Sequence, residues 1–436
     1  MKRRNNHNLI RFTGLILLAV ITPASAQYTT RQIADESMIN RTPVISDTGL
    51  VAWQAFRIGV TDAIRTDIYI YKDGETRSLT ANVDMDPNAS NNDPQLSSNT
   101  IVWVATTDQR AESPLWQLVD PPLDTEIPER DARFRAYSES DQAGGALSRQ
   151  WFERVGQSEI FNETPPNEDG TRPPRRTPSG NNEIMLWDGD DVMRITDDNR
   201  NDLGPGFWGD MIAWQKARGW PFGWEIMVWV DGARAQLTTN YHYDMAPRVH
   251  NKHVVWYGWD GTDYEIYLYD HEQQEISQIT DNNYDDVSPK IWDGTIVWEG
   301  YASVGADIFM YRDGETTQLS DNIDDDINPR IWNGQVVWQS FDGDFYQIFH
   351  YDGNQSIPLT STRYDNINPD IRDGLITWMG YEENMDAEVF VWTGGPNPIQ
   401  LTENDYEDQN PRTAGGRVVW QADYDGKSHI FLAEPE

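Results

Sequence analysis

The stretch Ile279-Thr-Asp-Asn-Asn-Tyr-Asp-Asp286-Val-Ser-Pro289-Lys-Ile-Trp-Asp293-Gly294-Thr-Ile-Val-Trp298, followed by Ala306-Asp307-Ile-Phe-Met-Tyr311-Arg-Asp313-Gly314 and Gln318-Leu319-Ser320, contains the whole architecture of this chain in one copy. Short β-branched and aromatic runs alternate with turn signals, and the pattern recurs. An apolar run ends in Trp at Trp53, Trp103, Trp214, Trp256, Trp298, Trp338, Trp378 and Trp420, and the last five steps are 42, 42, 40, 40 and 42 residues. Pro94, Pro205, Pro247, Pro289, Pro329, Pro369 and Pro411 each precede their Trp by nine residues, and Pro43 precedes Trp53 by ten. A fixed period of this size means stacked or radial repeats.

The runs are too short for helices. Gln335-Val-Val-Trp338 and Glu265-Ile-Tyr-Leu-Tyr269 are bounded by Asn-Gly or Asp-Gly turns, which supply the positive φ of two-residue hairpins. Each repeat therefore predicts four strands: A from Pro289 to Trp292, B from Thr295 to Trp298, C from Asp307 to Tyr311 and D from Thr317 to Ser320. Four-stranded units of about forty residues describe the blades of a β-propeller, and eight Trp-marked units predict eight blades. The last repeat ends after strand C at His429-Ile-Phe-Leu432. Thr30-Arg-Gln-Ile33-Ala-Asp35 reads like the missing strand D, so the N-terminal strand is expected to complete the eighth blade and cover two sheet edges. A closed ring of this kind predicts a monomer. The Trp column reads as core.

Before the first repeat, Lys2, Arg3, Arg4 and Arg11 precede the apolar run Gly14–Ile21, and Ala24-Ser-Ala26 offers a small-residue cleavage site. This is the pattern of a signal peptide over 1–26, cut after Ala26, and it predicts export to the periplasm or the medium. Residues 27–436 are then a single propeller domain. The apolar run is too short for a stable membrane span, and no other stretch is a candidate. The chain of 436 residues has no cysteine, which excludes disulfides and thiolate metal sites. It holds 34 Lys and Arg against 71 Asp and Glu, and four of those basic residues lie in the leader. So acidic a surface argues against nucleic acid, whose phosphates require Lys and Arg. It suits solubility or a cationic partner.

Blade 2 is interrupted. From Trp103 to the next strand-C pattern, Glu183-Ile-Met-Leu-Trp187, lies an insertion over about 107–180, rich in Pro, Gly, Arg and Glu, that reads as a lid-like or disordered segment. Because strands alternate in direction, the D–A and B–C connections share one face and the tight A–B and C–D hairpins share the other. The loop-rich face is where a site is expected. An acidic column lies there three residues before the repeat Pro: Asp202, Asp244, Asp286, Asp326 and Asp408, with Asn40, Asn91 and Asn366 at the matching positions and Asp285, Asp325, Asp365 and Glu407 beside it. Two readings compete. The carboxylates cap backbone N–H groups in their own turns, or they ring the channel mouth and bind a hard cation such as calcium. The same face carries aromatic residues in the B–C loops: Trp220, Phe222, Trp224, Tyr257, Trp259, Tyr301, Phe341, Phe345, Tyr381 and Tyr424. They suit a sugar or peptide ligand, or pack one loop against the next. His250 and His253 fall at a hairpin and His242 on the opposite face, so the three cannot share a metal. No nucleophile elbow or phosphate loop appears, and no catalytic residue is assigned.

The phrase formed by Leu237-Thr-Thr-Asn240, Asp244, Pro247, Val254-Val-Trp256 and Glu265-Ile-Tyr267 resembles the repeat of TolB-type β-propellers, over nearly all of the mature chain outside the insertion. That resemblance implies a protein-binding scaffold of the bacterial envelope. Two departures separate the chain from TolB itself: the Ser-Pro-Asp-Gly turn is reduced to Asp-Gly, and there is no room for an N-terminal α/β domain. The expected function is an exported, non-catalytic scaffold binding a protein or glycan. The alternative is a propeller enzyme, a polysaccharide lyase or glycosidase, that uses the acidic residues of the channel mouth.

Overall fold

The computed structural model describes residues 28–34, 37–57, 66–81, 90–107, 181–198, 200–218, 223–230, 232–240, 242–302, 305–383 and 386–436. The leader and the insertion lie outside them. All regular structure among the described residues is β-strand, arranged as eight four-stranded antiparallel sheets that form an eight-bladed β-propeller. No helix of the described residues is long and apolar enough to cross a membrane.

Blade 5 shows the plan. Strand A (Asp286–Trp292), strand B (Thr295–Gly300), strand C (Asp307–Arg312) and strand D (Glu315–Gln318) are hydrogen-bonded in that order. The hairpins are of the expected type: Asp293 and Gly294 have φ of 47° and 77°, and Asp313 and Gly314 have 53° and 86°. Strand A starts three residues earlier than the sequence predicts. Asp286 and Val287 pair with Gly300 and Glu299, the register then shifts, and pairing resumes at Lys290 with Val297. The reason is Pro289. Proline has no N–H for the ladder, so the strand passes it in a bulge. The residue before the repeat proline takes positive φ in every blade: Thr42, Asp93, Gly204, Ala246, Ser288, Asn328, Asn368 and Asn410. For non-glycine residues ahead of proline this conformation is unfavourable. Its repetition in all eight blades identifies a designed feature of the strand, one that re-aims the side chains that follow.

The ring closes as predicted. Tyr28–Gln32 pairs antiparallel with Lys427–Pro435, placing Thr30 opposite Ala433. Arg31 forms an ion pair with Glu434 at 2.5 Å, and Ile33 continues the ladder through its N–H to the Ile430 carbonyl at 2.9 Å. Blade 2 is whole despite its insertion, since Thr107 pairs with Asn181 at the two ends of the interruption.

The eight repeat tryptophans are all fully buried. In six blades the indole stacks on the aromatic residue opposite it in strand C, as Trp298 does on Phe309 at 5.8 Å and Trp378 on Phe390 at 5.9 Å. Each such side chain removes roughly 150–250 Å² from water, an upper bound of about 4–6 kcal/mol. The column is core, repeated around the ring.

Candidate ligand-binding face

The ends of the strands define two different rims. At the hairpin end, strand A finishes in Trp208, His250, Trp292, Trp332 and Arg372 in blades 3 to 7. These side chains interlock. His250 lies 4.2 Å from both Trp208 and Trp292, and Trp292 is 5.9 Å from Trp332. The Arg372 guanidinium sits 5.0 Å and 5.3 Å from the rings of Trp208 and Trp292 and pairs with Asp47 of blade 1 at 2.9 Å. One residue of blade 7 thereby reaches blades 1, 3 and 5, and the cluster plugs this end of the axis. Burial in the plug lowers the His250 pKa to about 4.

Two residues nearer the loop end lies the position that follows the repeat proline, occupied by Gln95, Arg248, Lys290, Arg330, Asp370 and Arg412 in blades 2, 4, 5, 6, 7 and 8. Four cations thus project toward the axis of an acidic protein. Arg330 is lowered to about 10 by burial, then by Arg412 and Arg248, each two blades away. Burial, followed by Arg248 and Arg330, pulls Lys290 well below its ordinary value. The heads of Arg248, Lys290 and Arg412 donate to main-chain carbonyls of their own strands, at 2.9, 3.0 and 2.8 Å. Counter-charge comes from Asp93, Asp370 and Glu299. Glu299 is buried, and its Oε1 accepts the N–H of Asn328, the bulge residue of the next blade, at 2.8 Å. Sequence reading missed this tier. Its signal was present in the residue after each proline, but only convergence on one axis makes it a group.

The acidic column has a role that neither of its two readings describes. In every blade its Oδ1 accepts the indole N–H of the repeat Trp: Trp214 to Asp202 (2.6 Å), Trp256 to Asp244 (3.0 Å), Trp298 to Asp286 (2.7 Å), Trp338 to Asp326 (3.0 Å) and Trp420 to Asp408 (2.8 Å). Asn40, Asn91 and Asn366 do the same for Trp53, Trp103 and Trp378 at 2.9 to 3.0 Å. The side chains are 0–4 % exposed. Oδ2 of Asp244, Asp286, Asp326 and Asp408 accepts the side-chain amide of the Asn four residues earlier. In blades 4 and 5 the carboxylate fills the space left by a glycine two after the Trp: a Cβ on Gly258 would lie 2.3 Å from Asp244 Oδ1, and one on Gly300 2.7 Å from Asp286 Oδ1. These carboxylates latch strand A to strand B, each within its own blade. Burial raises Asp202 to about 8, Asp286 to about 7 and Asp408 to about 6, and raises Asp244 and Asp326 as well. Backbone capping falls to their neighbours. Asp285 accepts the Tyr264 N–H at 3.0 Å, Asp325 the Ala306 N–H at 3.2 Å and Asp365 the Tyr346 N–H at 2.8 Å.

Among the aromatic candidates, Trp220 and Phe222 lie outside the described residues. Trp259, Tyr301, Phe341 and Tyr381 occupy one equivalent position, three residues after the repeat Trp, in the consecutive blades 4 to 7. All four are half-buried at the loop end of strand B. The N–H groups of Tyr301, Phe341 and Tyr381 donate to the carbonyls of Asp285, Asp325 and Asp365 at 2.8 to 2.9 Å. An aromatic side chain therefore stands beside a D–A loop carboxylate in three successive blades. Trp259 and Phe341 also make local ring contacts, with Tyr264 at 5.3 Å and Tyr346 at 5.2 Å. Trp224 is half-buried at the start of strand C in blade 3 and bridges to Tyr243. Tyr257 is buried, 6 % exposed, with its phenol pKa raised by burial. Tyr424 belongs to ring closure, stacking on His429 at 4.0 Å and donating to Gln32 of the N-terminal strand at 2.9 Å.

No protein-family model and no curated protein matches the sequence. Solved structures do match. The chain is similar to Porphyromonas gingivalis dipeptidyl peptidase 4 with a TM-score of 0.52 at 9 % identity, covering 92 % of this chain and 64 % of that one. It is similar to a prolyl endopeptidase with a TM-score of 0.50 at 9 % identity, covering 92 % and 55 %. The computationally designed Ika8 protein gives a TM-score of 0.50 at 10 % identity, covering 92 % and 98 %. This chain spans less than two thirds of either peptidase and nearly all of the designed protein. At such identities the likeness shows the β-propeller fold.

Proposed function

We propose that this protein is an exported, non-catalytic propeller scaffold that binds a protein or glycan on its loop-rich face, over blades 4 to 7. One observation carries the reading. The hairpin end of the axis is filled by the Trp208–His250–Trp292–Trp332–Arg372 cluster, whereas the other end presents Trp259, Tyr301, Phe341 and Tyr381 beside loop carboxylates. Half-buried aromatic rings are held rigidly by their strands, so they offer contact area at little entropic cost. Carboxylates beside them accept hydrogen bonds from sugar hydroxyls or from basic side chains. The leader-like segment before Gln27 supports export to the periplasm or the medium, and the TolB-type repeat phrase supports an envelope role. The second reading is an enzyme acting on polysaccharide. It is favoured by Asp263 of blade 4, a buried carboxyl in a B–C loop whose two oxygens have no hydrogen-bond partner among the described residues and are free to exchange a proton with a substrate.

The test is calorimetric titration of the mature chain with a panel of basic peptides and neutral or acidic oligosaccharides. A ligand of either class is expected, with Tyr301→Ser combined with Phe341→Ser weakening it at least tenfold while the melting temperature shifts by a few degrees. A ligand indifferent to that pair but lost with Asp352→Lys on the hairpin face would reverse the assignment of faces. Polysaccharide turnover by the wild type that disappears in Asp263→Asn would establish the enzyme reading instead.

A further inference from the structure

The strand C residue that pairs with the position two after the repeat Trp is polar in every blade: Asp67, Glu183, Glu225, Glu265, Asp307, Gln347, Glu388 and His429. Its basic role is structural. Thr196 and Thr238 donate to Glu183 and Glu225 at 2.7 and 2.6 Å, and Thr80 and Thr360 donate to Asp67 and Gln347 at 2.9 Å. The two glutamates of blades 2 and 3 also have a cation. Arg194 lies 3.1 Å from Glu183, and Arg218 lies 2.8 Å from Glu225.

Blade 4 departs from this rule. Among the described residues no basic side chain pairs with Glu265, and further acids surround it. Carboxylate oxygens of Asp260, Glu265 and Asp281 lie within 4.8 Å of one another. That spread matches donors on one coordination sphere, since oxygen ligands at 2.3–2.6 Å from calcium are at most about 5 Å apart. Asp260 and Glu265 are each anchored by one oxygen. Asp260 Oδ1 accepts the N–H groups of Thr262 and Asp263 at 2.6 and 3.2 Å, and Glu265 Oε1 accepts the Asn282 N–H at 2.8 Å. Glu265 is fully buried, and its Oε2 has no hydrogen bond of good geometry although the Thr280 hydroxyl is beside it. The independent observation is Asp263. It is 6 % exposed, and neither of its carboxylate oxygens has a hydrogen-bond partner. The charges that act on it most are negative, those of Glu265, Asp260, Asp285 and Asp281. A bare carboxylate buried among carboxylates is strongly unfavourable unless a cation joins it.

We infer that blade 4 holds a divalent-cation site formed by Asp260, Glu265 and Asp281, with the buried carboxylate of Asp263 adding negative charge beside it, and with calcium as the ion that an all-oxygen, loop-built donor set accepts. Aspartate and glutamate oxygens on two loops adapt to the irregular geometry of calcium more readily than to the small octahedron of magnesium. Blade 7 repeats part of the constellation. Asp386 and Glu388, 9 % and 1 % exposed, each have one unpartnered oxygen, and the exposed Glu403 stands where blade 4 has Asp281. The two blades that place an extra acid before strand C are the two that lack an arginine for their glutamate. The site pins the B–C loop that begins at Trp259 to the D–A loop that carries Asp285, so the ion would order the edge of the aromatic arc. The inference stands on blade 4 alone and does not require the ligand-binding reading.

The experiment is a calcium titration of the chelator-treated mature protein at constant ionic strength, read by melting temperature and by tryptophan fluorescence, because Trp259 adjoins Asp260. Calcium is expected to raise the melting temperature by several degrees with saturation, and calorimetry should show at least one site. Asp281→Asn, an exposed change that leaves the core intact, should weaken binding at least tenfold. Asp260→Asn with Asp281→Asn should abolish it, and Asp386→Asn should leave the blade 4 site in place. A response no larger than that to magnesium or matched sodium chloride would overturn the inference. So would a calcium response that persists in the double variant. If the double variant does not fold, the tenfold loss in Asp281→Asn alone decides.

Discussion

The two ends of this propeller are made by the same thirty-two strands and are opposites in chemistry. At the hairpin end the connections are short, among them the two-residue turns Asp73-Gly74, Asp293-Gly294, Asp313-Gly314, Asn333-Gly334 and Asp373-Gly374, and inward side chains from blades 3 to 7 lock into one another through Trp208, His250, Trp292, Trp332 and Arg372. At the loop end the connections vary in length, and the side chains are acids and half-buried aromatics with local partners. The difference teaches how a repeat protein divides its work. Where the repeat is strict, rings and the Arg372 guanidinium from several blades pack on one another and build a frame. Where it is relaxed, as in blade 4, carboxylates gather on two loops, and both oxygens of the buried Asp263 are without a hydrogen-bond partner among the described residues.

The sharpest way to break this contrast is to attack the plug. Trp292→Ala removes ring contacts to Trp208, His250 and Trp332 together with the platform under Arg372. A loss of about 3 kcal/mol in denaturant unfolding is expected. If instead this variant unfolds within 1 kcal/mol of wild type, the hairpin end is no more rigid than the loop end.

The latch comes next in size. Asp286→Ala leaves the buried Trp298 N–H unsatisfied and should cost about 1–3 kcal/mol, whereas Asp286→Asn keeps the acceptor for Trp298, turns its NH2 toward the Asn282 amide and should cost less, about 1 kcal/mol. The same acids set a pH dependence. Burial raises Asp202 to about 8, Asp286 to about 7 and Asp408 to about 6, while in the unfolded chain each titrates near the ordinary 3.8. Between those values the folded chain binds more protons at these sites, so their contribution to stability is fully present below about pH 4 and is lost as pH rises toward 8. Thermal melts at pH 5 and pH 8 should differ in that direction, and Asp202→Asn should flatten the slope. A protein more stable at pH 8 than at pH 5 would show that the latch carboxylates are ionised in the fold.

The smallest effect is expected on the loop-rich face. Tyr381→Ser deletes a half-buried ring at a strand end and should change stability by under about 1 kcal/mol. A loss of 2 kcal/mol or more would move the aromatic arc from the ligand-binding side of the comparison to the structural side.

The blades, their strand order, the hairpin types and the closure by residues near Thr30 were legible in the sequence, because each rests on local chemistry. Asp-Gly fixes a turn, period-two apolar runs fix a strand, and a fixed spacing of Trp and Pro fixes the repeat. The acidic column was legible as a column but not as a latch. A carboxylate three residues before a proline can cap its own turn or cross to strand B, and the choice depends on the gap left at Gly258 or Gly300. The tier of Arg248, Lys290, Arg330 and Arg412 and the plug beneath it were decided by tertiary structure alone. Their members are about forty residues apart and become neighbours only when the ring brings the innermost strands to one axis. Local sequence sets what each blade is. Closure of the ring decides which side chains of different blades meet, because that distance is set by the number of blades and not by any one of them.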